Sequence, residues 1–156
     1  MASASHEELI AAPFAVVWGL LEEKVYHPER SVPGAQNVRI LSDNGAAGVE
    51  RKMFLAQRGA DVHELITWTH ADAHGLVTFK MLSDEQLEGA VTNEAIAEGP
   101  GATRVKYTMA WQFRESVPPA ERRAPFPDGG AGAIKGAVLG MKAAAEAAAA
   151  AVVAAH

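Results

Sequence analysis

From Thr103 to Arg114 apolar and polar positions alternate strictly. Val105, Tyr107, Met109, Trp111 and Phe113 fall on one side, and Arg104, Lys106, Thr108 and Gln112 on the other. Successive side chains of a strand point to opposite faces, so this is a strand with one buried, aromatic face and one wet face. The same period recurs upstream in runs bounded by turn signals: Asn37–Leu41 before Asp43-Asn44-Gly45, Val49–Leu55 before Arg58-Gly59, Val62–His70 before Asp72-Ala73-His74-Gly75, Leu76–Leu82 before Ser83-Asp84-Glu85, and Leu87–Ala97 before Gly99-Pro100-Gly101. Six consecutive hairpin-linked strands result, a meander.

The pattern changes to a helical one in two places. After a first strand at His6–Ala11, Pro13 opens a helix in which Phe14, Val17, Trp18 and Leu21 recur on one face as far as Lys24. Pro28-Glu29-Arg30-Ser31 starts a second short helix before Pro33-Gly34 ends the region. From Gly132 to Val153 a long Ala-rich helix follows a Pro-rich loop, with Asp128 as its candidate cap and with Ile134, Val138, Met141, Ala145, Ala148 and Val152 on one stripe. Gly132, Gly136 and Gly140 repeat every four residues. A helical glycine costs about 1 kcal/mol relative to alanine, so these allow a close approach or leave room beneath. A curved antiparallel sheet closed by one such helix encloses a cavity.

Composition narrows the class. The 156 residues suit one domain, 49% hydrophobic and 21% charged. A net charge of -5, with no basic run interleaved with aromatics, argues against nucleic-acid binding. Cysteine is absent, which removes thiol catalysis and thiolate metal sites and fits a cytoplasmic location. The N-terminal residues lack the basic region and apolar run of a signal peptide. Lys135, Lys142 and Glu146 interrupt the final apolar segment, so it is expected to pack on the sheet and not to span a membrane.

Four segments carry a family resemblance. Ile10-Ala11-Ala12-Pro13-Phe14-Ala15-Val16-Val17-Trp18 is similar to the opening of the START/Bet v 1-like (SRPBCC) superfamily. Tyr26-His27-Pro28-Glu29-Arg30-Ser31-Val32-Pro33-Gly34, Glu64-Leu65-Ile66-Thr67-Trp68 and Gly89-Ala90-Val91-Thr92-Asn93-Glu94 resemble its AtaL-like branch. The resemblance implies an α+β helix-grip fold spanning residues 1–156: a seven-stranded antiparallel sheet around the C-terminal helix, with two short helices after the first strand. It further implies a cavity for a lipid, polyketide or aromatic metabolite, used by some members for cyclisation or condensation. Fold alone does not choose between carrier and enzyme.

Alternation selects the side chains that face such a cavity. Arg51 and Met53 come from one strand, Glu64 and Trp68 from the next, Phe79 and Met81 from the third, and Val91 and Asn93 from the fourth. Tyr107, Met109 and Trp111 follow, and the last helix adds Ile134, Val138 and Met141. Charges enter an apolar chamber paired or for a purpose. Either Arg51 and Glu64 pair and brace the sheet, or Arg51 anchors an anion while Glu64 acts as general base and Asn93 bonds a carbonyl. The leading expectation is a binder of a small, largely hydrophobic molecule, as monomer or homodimer. The alternative is a polyketide cyclase/aromatase-like enzyme with Glu64 or Tyr107 as acid/base. His70 and His74 are spaced like helical metal ligands but fall on a hairpin turn, and Gly129–Gly136 lacks the strand and the Ser or Thr of a phosphate loop. No metal or cofactor is expected.

Overall fold

The computed structural model describes residues 2–123 and 128–155; the loop prolines Pro125 and Pro127 lie outside the described residues. Strand β1 (Ala2–Ile10) leads into helix α1 (Phe14–Tyr26). A meander follows: β2 (Ala35–Asp43), β3 (Val49–Leu55), β4 (Ala60–Ala71), β5 (His74–Met81), β6 (Leu87–Gly99) and β7 (Ala102–Phe113). Helix α2 (Ala131–Ala154) comes last. The seven strands form one antiparallel sheet in the order β1-β7-β6-β5-β4-β3-β2. This is the expected helix-grip architecture.

Differences from expectation lie at element ends. β1 starts at Ala2 and not His6, because main-chain pairing with β7 carries it through Ala2, Ser3 and Ala4 whatever their side chains. Pro13 precedes α1, its fixed extended backbone turning the chain into the helix. The second short helix is a single 3₁₀ turn, Pro28–Arg30.

The predicted inward faces are the buried ones. Ile66, Val77, Phe79, Ala95, Val105 and Tyr107 from the sheet meet Val17, Trp18, Leu21 and Val25 of α1 and Ile134, Val138, Met141 and Ala145 of α2 in one core. Trp18 lies against Gly75 of β5, where a Cβ would overlap its ring, and stacks with His70 of β4 at 4.7 Å between ring centroids. Gly89 serves another close approach. Its φ of +152° brings β6 so near β7 that a Cβ would collide with the Ala110 carbonyl oxygen.

At the start of α2, the Asp128 carboxylate accepts hydrogen bonds from the Gly130 and Gly132 backbone N–H groups, at 3.1 and 2.7 Å. Those donors would otherwise lack partners, and they hold the Asp128 carboxyl below its ordinary range. By length and composition alone α2 could cross a membrane. In this fold it lies along β1 and also touches α1 and β7. Lys142 Nζ donates to the Leu9 carbonyl at 2.8 Å, and the Ala11 N–H donates to Glu146 at 2.8 Å. Two of the polar residues that interrupt the helix therefore fasten it to the sheet.

Candidate ligand-binding cavity

A cavity of about 770 Å³ lies between the inner half of α1, the N-terminal half of α2 and the sheet. One wall is a stripe of α2 made of Gly132, Ala133, Gly136, Ala137, Gly140, Met141 and Ala144. The four-residue glycine spacing is thus the source of the space, since a Cβ on Gly136 or Gly140 would meet nothing within 4 Å. Leu20 and Lys24 of α1 and Tyr107 of β7 face it, while Glu23, Arg30, Val32, Pro33, Leu55 and Gln57 complete the lining. Gln57 Nε2 donates to the Pro33 carbonyl at 2.6 Å, tying the β3–β4 turn to the loop before β2.

Next to this space stands the polar cluster expected from alternation. Arg51 and Glu64 are register partners on β3 and β4, and Arg51 Nη2 donates to Glu64 Oε1 at 2.7 Å. Arg51 Nη1 donates to two carbonyls at the end of α1, Lys24 O at 2.8 Å and Val25 O at 2.7 Å. The last carbonyls of a helix lack intrahelical donors, so the guanidinium finishes α1 and clamps it to the sheet. At 2% exposure it is committed to these partners and takes no part in the cavity lining. Arg51 and Glu64 thus form a direct ion pair across neighbouring strands.

Two cations line the cavity: Arg30, paired with Glu23 at 3.1 Å, and Lys24, which has no carboxylate bonded to it among the described residues. Lys24 Nζ donates to Asn93 Oδ1 at 2.9 Å and sits 4.5 Å from the ring centre of Tyr107 and 5.2 Å from that of Phe79. Burial of the ammonium lowers its pKa from 10.5 to about 8; Glu64 opposes this shift and Arg51 adds to it. Asn93 is fully buried and its Nδ2 has no hydrogen-bond partner among the described residues. Burial drives the Tyr107 phenol far above its ordinary value, so at neutral pH it remains protonated, able to donate a hydrogen bond but not to act as a base. A signal for Lys24 existed: position 24 continues the spacing of Val17 and Leu21, placing one charge at the end of an apolar stripe.

The remaining expected residues are distributed around this centre. Tyr107 and Met141 line the cavity itself. Phe79, Ile134 and Val138 are buried in the core, with Trp68, Val91 and Met109 packed against it. Met53 and Trp111 are buried towards the strand ends, and Trp111 meets Phe113 edge to face at 5.6 Å. Met81 lines a second hollow of about 510 Å³ that includes Arg58, Asp84 and Leu87. Among the described residues no group of three or more His, Asp or Glu side chains converges as a metal site. His70 is stacked on Trp18, and His74 reaches Glu94 at 2.9 Å.

No family model matches the sequence, and no curated protein matches it. Similar solved structures include the Zhui aromatase/cyclase from Streptomyces sp. R1128, with TM-score 0.66 and 16% identity over 92% of this chain and 93% of that one. A START superfamily protein from Mycobacterium smegmatis has TM-score 0.62 and 14% identity over 97% and 99% of the two chains. Ara h 8.0201 has TM-score 0.63 and 15% identity over 92% and 96%. These neighbours, an aromatase/cyclase, a START protein and Ara h 8.0201, share one architecture at low identity. The chain has the helix-grip fold of START/Bet v 1-like proteins.

Proposed function

We propose that this protein binds a small, largely hydrophobic molecule in the cavity between α1, α2 and the sheet. The observation that carries the reading is the cavity itself: about 770 Å³, walled mainly by aliphatic and small residues, with its polar side chains on the α1 and loop side. Ligand sites are typically concave spaces of about 300–1,000 Å³ with this kind of lining. The likeness to START proteins supports the reading at the level of ligand class, and the AtaL-like segments noted in the sequence belong to the same proposal.

An enzyme of the cyclase type receives less support. Glu64, the expected base, is held by Arg51, and Tyr107 stays protonated at neutral pH. The carboxylate that lines the cavity, Glu23, is paired with Arg30 at 3.1 Å.

The test is occlusion from the helix side. Gly136→Phe would start an aromatic side chain on the cavity wall at a position where a Cβ meets nothing within 4 Å. Native mass spectrometry of the purified wild type is expected to show a bound small molecule, or titration with a hydrophobic fluorophore to show one saturable site. The variant is expected to lose that site while keeping its circular dichroism spectrum. A folded variant that binds as well as the wild type would overturn the proposal.

A further inference from the structure

We infer that the molecule held in the cavity carries an anionic head, a carboxylate or an equivalent acidic group, and that Lys24 is the residue that receives it. This rests on the cavity-binding reading above and adds the chemistry of the ligand.

Three charged groups meet at the inner end of α1: Arg51 and Lys24 are positive and Glu64 is negative. Glu64 neutralises Arg51 through a direct bond, which leaves one positive charge without a counter-ion bonded to it. That charge belongs to Lys24, the member of the trio that lines the cavity. An ammonium has three donors. One is taken by Asn93 Oδ1, and the Tyr107 and Phe79 rings lie beside the head. Beside it the fully buried Asn93 keeps an Nδ2 with no partner among the described residues, a second donor in the same place. A half-buried cation without a bonded anion is costly, and an anion delivered beside it makes a charge-assisted hydrogen bond.

The rest of the lining fixes the orientation. The α2 wall contributes only Gly, Ala and Met, so the apolar body lies along α2 and the acidic end turns towards α1.

The groups facing Lys24 are Glu64 from β4, Arg51 from β3, Asn93 from β6, Phe79 from β5 and Tyr107 from β7. Glu23 and Arg30 share the cavity lining. Because the Lys24 ammonium titrates at about 8, an anion should bind well at pH 6.5 and progressively less well above pH 8.

The experiment compares matched acid and amide probes, decanoate against decanamide and 2-naphthoate against 2-naphthamide, by calorimetry at pH 6.5 and 9.5. The wild type is expected to bind the acids at least tenfold more tightly than the amides at pH 6.5, with the preference falling several-fold at pH 9.5. Lys24→Met is expected to bind acids and amides alike, with no pH dependence between 6.5 and 9.5, which separates Lys24 from the other charged groups. Equal binding of acid and amide by the wild type would overturn the inference and leave the cavity reading standing. Failure of both members of both pairs to bind would overturn the two together. The wild-type pH series decides the matter even if the variant does not fold.

Discussion

Lys24, half-buried, and Arg51, fully buried, are two cations at the same helix end with opposite consequences for stability. Folding lowers the Lys24 pKa from 10.5 to about 8, so protonated Lys24 opposes folding by at most roughly 3 kcal/mol, part of the side chain facing the open cavity. The penalty is fully present below pH 8. It is relieved as pH rises towards 10.5, where the unfolded chain also gives up its proton. Lys24→Met is therefore expected to gain stability relative to wild type at pH 7 and to lose that advantage by pH 10.5; chemical denaturation across this range measures it. Arg51 contributes in the other sense. Arg51→Met would leave Glu64 without its partner and two α1 carbonyls without donors, costing about 3–5 kcal/mol. Urea unfolding should show the loss, and a cost below about 1 kcal/mol would contradict the clamp.

The elements were largely legible because most signals were local. Alternation in β3, β4, β6 and β7 set the inward faces correctly, including those of Arg51, Glu64, Asn93 and Tyr107. On α2 the cavity wall is the Gly/Ala stripe through Gly136 and Gly140, and of the expected Ile134, Val138 and Met141 only Met141 lines it, the other two being core residues. What stayed hidden was contact between distant main-chain and side-chain atoms. Nothing in the sequence around Arg51 announces that it will bond the carbonyls of residues 24 and 25, and alternation along the strands singles out Arg51 but is silent on Lys24 of α1. Two glycine substitutions test the elements in opposite directions. Gly136→Ala is expected to stabilise α2 by about 1 kcal/mol, since the methyl enters open space and alanine favours the helix. Gly75→Ala should destabilise by roughly 1–3 kcal/mol, because its Cβ would displace the Trp18 ring. Thermal unfolding of both variants against wild type gives the two signs.

At the scale of the molecule, the sheet closes by joining the start of the chain to its last strand. Leu9 pairs with Arg104 and Ala2 with Trp111, whereas every other strand pairs with its immediate neighbour in sequence. During synthesis at about 5–20 residues per second, β1 therefore waits several seconds or more for a partner, while β2 to β7 can zip one hairpin at a time. Helix α2 emerges later still, and its Lys142 and Glu146 can fasten only onto a β1 already in place. The nascent protein is thus first an open tray and only at the end a closed vessel. Any guest that needs the α2 wall can be retained only after residues 131–154 have left the ribosome.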